Sequence, residues 1–186
     1  MAIAIPDIIL LKHPIETNLL VVVFDMTHFS KYSRKYPSMN IFNKMVKFNE
    51  TSSKFVKEHG GLILKFIGDA GLAIFPEDNA SESIVAMAKF KAEMDRWLEK
   101  NLPGSHLAVN CHIGPVTVGP AAGFNGQSQI DIFGETVNIC FTMSQRGFVI
   151  SPQAFRSLSA EARKQFKKFT PPIIYHLTSP HGEVEP

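Results

Sequence analysis

An α+β fold with a β-α-β-β-α-β core and helices on one face of the sheet is what this 186-residue sequence predicts, and three observations carry the prediction. An unbroken apolar run, Leu19 to Phe24, ends at Asp25 and has the length and composition of a central strand covered on both faces. Two further apolar runs, 62–67 and 71–75, flank Gly68-Asp69-Ala70-Gly71, a glycine-bracketed tight turn that joins them as a hairpin. Apolar residues then recur at helical spacing over 39–58 and again from residue 80 onward. Strand, helix, hairpin, helix, strand is the ferredoxin-like order, and the rest of the chain adds strands and short helices to it.

In chain order, residues 1–17 are expected to be an extended lead-in, 18–178 the folded domain, and 179–186 a frayed tail. Ile41, Phe42, Met45, Phe48, Phe55 and Val56 share one face of the first long helix, which Gly60-Gly61 stops. Lys65 alternates with Ile63 and Ile67, which puts it on the same strand face as two apolar residues. Asn79-Ala80-Ser81-Glu82 reads as an N-cap with an acid three residues on, opening a helix with Ile84, Met87, Phe90, Met94 and Trp97 on one side. Residues 107–113 and 116–119 predict another strand pair, followed by a glycine-rich loop to Gln129 and a strand over 130–133. Val137, Cys140 and Phe141 fit a short core-facing helix, and 148–150 a short strand. Ser151-Pro152 caps a further helix, and 173–177 closes as a strand.

With 45% hydrophobic and 19% charged residues the chain has the composition of one globular domain. Its longest apolar runs fall far short of the roughly 20 residues that cross a bilayer, and its first residues lack the marks of a signal peptide. Cys111 and Cys140 sit in apolar contexts without metal-ligand spacing, as reduced core residues of a cytoplasmic protein do. A net charge of +2 argues for neither nucleic acid nor membrane as partner, and the basic group over 163–168 reads as a solvated helix end.

Asp25 and Asp69 each stand where an apolar strand runs out. A carboxylate at the end of a buried strand is costly unless paired or metal-bound. Two on neighbouring strand ends can hold a pair of divalent cations at the spacing used for in-line phosphoryl transfer. As separate residues, Asp25 caps the turn after its strand and Asp69 fills a hairpin.

Four segments, in order, complete a pattern: Phe24-Asp25-Met26-Thr27-His28-Phe29-Ser30, Lys65-Phe66-Ile67-Gly68-Asp69-Ala70, His112-Ile113-Gly114-Pro115-Val116 and Asp131-Ile132-Phe133-Gly134-Glu135-Thr136-Val137-Asn138. Together they resemble the class III adenylyl/guanylyl cyclase catalytic domain over roughly residues 18–178. The resemblance implies a homodimer with sites at the subunit interface, where a ribose 3′ hydroxyl attacks the α-phosphate of the same nucleotide. It makes Asp25 and Asp69 catalytic metal ligands for two Mg²⁺ or Mn²⁺ ions, with the backbone carbonyl of Met26 adding a donor. The turn of Thr27, His28, Phe29 and Ser30 would set backbone N–H groups against the phosphates. Lys65 and Asp131, from the other subunit, would read the base; a lysine to a ring nitrogen and an aspartate to an exocyclic amine suit adenine and hence ATP. Asn138 would orient the ribose. The plainer readings are a snorkelling Lys65, a turn Asp131 and a satisfied core amide at Asn138. The loop around Phe124-Asn125-Gly126 would be an arm reaching across the dimer.

The match breaks in places. Thr142 stands where the family has an arginine aimed at charge on the α-phosphate, with Arg146 a turn further on. Losing one such donor costs about 10²–10³ in rate, so a slow enzyme is expected. His28 replaces a glycine and is strained if that backbone needs positive φ. The family's phosphate lysine has only Lys167 and Lys168 as candidates, and Pro115 carries no charge. The expected activity is conversion of ATP to 3′,5′-cyclic AMP and pyrophosphate. The alternatives are a weak or silent nucleotide-binding module of this fold, or a cyclase using UTP, CTP or GTP.

Overall fold

The computed structural model describes residues 3–122, 126–144 and 146–178. The expected arm residues Phe124 and Asn125, and the tail 179–186, lie outside them. The elements run α1 (Ile5–Ile9), β1 (Ile15–Met26), α2 (Phe29–Ser33), α3 (Ser38–Glu58), β2 (Leu62–Ile67), β3 (Ala70–Pro76) and α4 (Ala80–Asn101). Then follow β4 (Leu107–Ala122), β5 (Ser128–Phe133), α5 (Glu135–Thr142), β6 (Phe148–Ile150), α6 (Pro152–Ser157), α7 (Ala160–Arg163), β7 (Phe166–Phe169) and β8 (Ile174–Leu177). Strand order is β2-β3-β1-β4-β6-β8-β7, with β5 also paired to β4. The antiparallel set β2-β3-β1-β4 is the ferredoxin-like core the sequence predicts, and β4 with β6 is a parallel pair. No helix among the described residues is long and apolar enough to cross a membrane.

β1 is central because its apolar run feeds two cores at once. Leu20, Val22 and Phe24 join Phe48, Val56, Met87 and Phe90 of α3 and α4 on one face. Leu19, Val21 and Val23 join Leu72, Ile74, Val116, Val118 and Cys140 on the other. Helices therefore cover both faces, not one: α1 buries Ile8 completely and α5 buries Cys140 in the second cluster. The lead-in is accordingly a short helix and the start of β1 instead of an extended segment.

Other differences have local causes. Phe42 stands 63% exposed on α3, away from the face made by Phe48, Ser52 and Val56. Asn79 ends a single 3₁₀ turn, so its backbone (φ −101, ψ 12) is not the extended one that lets a side chain cap α4, and it makes no cap bond. Residues 107–122 form one continuous strand, not two. Pro115 pairs with Asn18 of β1, and neither β5 nor β6 reaches it, so its missing N–H interrupts no second ladder. Phe141 is exposed on α5, and Lys167 and Lys168 belong to β7, an edge strand, rather than to a helix end. Ser151 caps α6 as expected, its Oγ accepting the Ala154 N–H.

Candidate active site

The strand ends bring the two acidic residues together. Asp25, next to last in β1, lies opposite Ala70 of β3 and Ala108 of β4. Asp69 sits in the two-residue turn joining β2 to β3, where Gly68 takes φ +64, a conformation that a two-residue hairpin loop demands. Gly71 supplies the second necessity: a Cβ there would stand 2.2 Å from Cζ of Phe24, so only glycine lets that ring pack under the turn. Asp69 directly precedes Ala70, the cross-strand partner of Asp25, so the two carboxyl groups meet at neighbouring strand ends. Asp25 is solvent-accessible, yet the surrounding sheet desolvates its carboxyl and raises its pKa against the opposing hydrogen bonds of Met26 and Asp69. Asp69 is pushed up to about 6, first by burial and then by the charge of Asp25. Like charges held this close keep a proton or a cation between them.

Hard carboxylate oxygens relieved of mutual repulsion by a cation are a donor set that fits Mg²⁺ or Mn²⁺. No group of three or more His, Cys, Asp or Glu forms a metal cluster among the described residues. Any ion bound at this pair would complete its shell from backbone carbonyl, water or substrate oxygens. The Met26 side chain is 3% exposed, which leaves only its backbone for such a role.

Lys65 reaches the same sheet face through a departure from simple alternation. The β2–β3 register shifts between Ile63 and Lys65, so Ile63 faces Ala73 and the helix-side core while Lys65 faces Leu72 and the opposite core. The bulge thus separates Lys65 from Ile63 and sets it on the face that carries Val23 and Asp25. Its Nζ donates to Asp131 Oδ2 at 2.5 Å, and Asp131 Oδ1 accepts the Ile132 N–H at 2.8 Å. Three strands separate β2 from β5 in the sheet, but Ile130 and Ile132 fold over the cluster that includes Leu62 and Leu64. That shared apolar contact carries Asp131 to Lys65. Neither residue is a lone surface or turn group.

Asn138 projects from α5 and is exposed, so it is not a core amide. The helix beneath it is fixed by Cys140, whose thiol donates to the carbonyls of Val21 (3.3 Å) and Asn110 (3.2 Å), and by Thr136 Oγ1 donating to Pro115 O at 2.7 Å. Burial pushes the Cys140 thiol up to about 12, which keeps it a neutral donor. An apolar context marks such a cysteine as core; its bonding to two strands is not visible in the sequence. His112 is likewise structural: it is 5% exposed, its Nδ1 lies 2.8 Å from Ser151 Oγ, and burial lowers its pKa. Thr142 Oγ1 donates back to Asn138 O (3.0 Å) and Ile139 O (3.2 Å) of its own helix, and Arg146 is exposed beyond the helix end.

At the turn after β1, His28 has φ 60 and is the only non-glycine residue with positive φ among those described. The strain anticipated for histidine at this position is therefore present. The Thr27 N–H donates to His106 O at 2.8 Å, and Thr27 Oγ1 accepts the His106 N–H at 2.9 Å. Thr27 is thus a clamp to the segment before β4, and its N–H is not free for a phosphate. Phe29 packs against the helix-side core and Ser30 is exposed. Lys167 and Lys168 lie on β7 at the far edge of the sheet.

The family model for the adenylate and guanylate cyclase catalytic domain matches residues 12–170. Among curated proteins, the chain is 26% identical over 137 residues to the germination-specific adenylate cyclase of Dictyostelium discoideum, covering 70% of this chain and 16% of that one. It is 24% identical over 132 residues to the adenylate cyclase of Anabaena cylindrica, covering 66% of this chain and 26% of that one. The chain therefore spans about a quarter or less of the length of these relatives. The adenylyl cyclase CyaB from P. aeruginosa superposes with a TM-score of 0.74 at 16% identity, covering 90% of this chain and 96% of that one.

Proposed function

Because this chain belongs to the adenylate and guanylate cyclase catalytic domain family, we propose that it forms 3′,5′-cyclic AMP and pyrophosphate from ATP in a homodimer with interfacial sites. The juxtaposed Asp25 and Asp69 carboxyls carry this reading. They are the ligands for two Mg²⁺ or Mn²⁺ ions, which, when bound, polarise the attacking ribose hydroxyl and offset charge on the phosphates. The bond formed joins the ribose 3′ oxygen to the α-phosphorus, and the bond broken joins that phosphorus to the oxygen bridging to the β-phosphate. The nucleophile belongs to the substrate, so the chain needs no activated serine, cysteine or histidine.

The Lys65–Asp131 pair of the other protomer reads the base. Opened by a nucleobase, it offers one donor and one acceptor, which adenine satisfies; guanine's carbonyl would face a carboxylate. Exposed Asn138 orients the ribose, and the N–H groups of His28, Phe29 and Ser30 approach the phosphates.

Purified protein incubated with ATP, GTP, CTP or UTP and Mn²⁺, with products identified by mass, tests the reading. Cyclic AMP is expected from ATP, and preferential cyclisation of another nucleotide would overturn the base assignment. A second reading, a nucleotide-binding module of low turnover, is favoured by the self-bonded hydroxyl of Thr142 where a cation is wanted. A folded dimer giving no cyclic product from any of the four would favour it.

A further inference from the structure

We propose that the pocket at the open edge of β4, between α5 and α6, binds a free α-amino acid, whose carboxylate and ammonium groups pair with the backbone of Ile113. The backbone groups of a strand point alternately to its two edges, so residues 109, 111, 113 and 115 of β4 serve the same edge. That edge faces away from β1: the Val109 N–H donates to Gly147 O at 2.8 Å, and Cys111 O accepts the Ser151 N–H at 3.0 Å. The β1–β4 register runs from Leu107 to Val118 without a shift, which keeps the alternation intact. β6 pairs with β4 only as far as Cys111, and β5 begins to pair at Thr117. Between them Pro115 has no N–H, and its carbonyl accepts Thr136 Oγ1 at 2.7 Å. Ile113 is therefore left with both its N–H and its C=O aimed into a gap in the sheet. Ser151 O, the acceptor next in line for that N–H, is taken by the Phe155 N–H at 2.9 Å, because the chain turns there into α6.

Ile113 is 7% exposed, and a buried backbone donor and acceptor without a strand partner call for another group to pair with. The gap opens into a cavity of about 620 Å³, within the roughly 300–1,000 Å³ of small-molecule sites. It is one residue long, bounded by the end of β6 and by Thr136, so it admits a single residue and not an added strand. In an antiparallel hydrogen-bonded pair, one residue exchanges both bonds with the residue opposite. A free α-amino acid carries the same acceptor and donor on one carbon, both charged, and makes the same pair with stronger bonds. The side chains lining the cavity match a zwitterion: Arg156 suits the carboxylate, and Glu77 and Glu135 suit the ammonium. No salt bridge joins any of these three to another described residue. The site is remote from the carboxyl pair: Ile113 lies about 17 Å along β4 from Ala108, the cross-strand partner of Asp25. It stands independently of the cyclase reading.

Thermal melts of the full chain with each of the standard L-amino acids in turn test the site, followed by amide NMR spectra and calorimetric titration with the most stabilising one. At about 10 mM, at least one amino acid should raise the melting temperature by about 2 °C or more through mass action. The same amino acid should move the Ile113 amide resonance. Its analogues lacking either the amino group or the carboxylate should do neither. Arg156→Gln, and the double variant Glu77→Gln/Glu135→Gln, should each weaken binding about tenfold. Lys54→Gln/Glu58→Gln, which removes an exposed ion pair on α3, should bind as the unmodified chain does. No stabilising amino acid, equal binding of either truncated analogue, or an Ile113 amide that does not respond would overturn the site. Undiminished affinity in the Arg156 and glutamate variants, or an equal loss in the control, would overturn it as well.

Discussion

Replacing Asp69 by asparagine separates two properties of the carboxyl pair that pull in opposite directions. In the folded chain Asp69 is pushed up to about 6 from an ordinary 3.8, by burial first and the charge of Asp25 second. Between those values the folded chain holds a proton that the unfolded chain has released. Stability therefore falls as pH rises through this window, and the loss is complete above it. Two units correspond to about 2.7 kcal/mol at full strength, and solvent screening at this half-exposed turn reduces that to about 1 kcal/mol. Asparagine keeps the shape without the charge. In chelator, Asp69→Asn should melt with the unmodified protein near pH 4 and about 2–4 °C above it at pH 7. Millimolar Mn²⁺ should then stabilise the unmodified chain by mass action and leave the variant unmoved, while turnover is lost. Scanning calorimetry across pH 4–8 reads all of this except turnover. A variant that melts below the unmodified protein at pH 7 in chelator would refute the reasoning, because it would mean that the Asp69 carboxylate is held by favourable partners.

Thr142→Arg should raise turnover by up to about 10²-fold, since it restores a donor for charge on the α-phosphate. The lost hydroxyl bonds only close on its own exposed helix, so denaturant midpoints should barely move; unchanged kcat would mean a rebuilt site. Lys65→Ala leaves Asp131 without its partner and should raise KM for ATP about tenfold while narrowing the ATP-to-GTP ratio of kcat/KM. A ratio that stays fixed would take the pair out of base reading. Gly71→Ala forces a Cβ to 2.2 Å from the Phe24 ring in the middle of the ladder, so it should cost about 1–3 kcal/mol, measured by urea unfolding.

Much of the site was legible in the residues because its parts are local. A strand-ending aspartate and a glycine-bracketed one announce themselves through apolar runs and turn chemistry that involve only near neighbours. The strain at His28 was expected only on the condition of a positive φ, which came from the resemblance (a glycine in the family's turn) and which the backbone meets. Asn138 was placed on the right helix, but its exposure depended on which face of α5 Cys140 turned inward. Alternation groups Lys65 with both Ile63 and Ile67, and the register shift after Ile63 separates it from Ile63 alone, because the shift adds a residue that alternation does not count. The same limit hid the continuity of β4, which depends on pairing between Pro115 and Asn18, and the docking of α1 through Ile8.

Periodicity, turn residues and chain order were enough to specify a ferredoxin-like core, its covered central strand and a carboxylate at each of two strand ends. Folding in space supplied what no local pattern encodes. The contact of Lys65 with Asp131 spans 66 residues and depends on β5 crossing to the cluster beneath β2. The bonds of Cys140 to two strands likewise join distant segments. The reason is energetic. Local conformation follows from steric and hydrogen-bonding preferences of a few adjacent residues, whereas these contacts exist because burying apolar surface between remote segments outweighs the entropy of bringing them together.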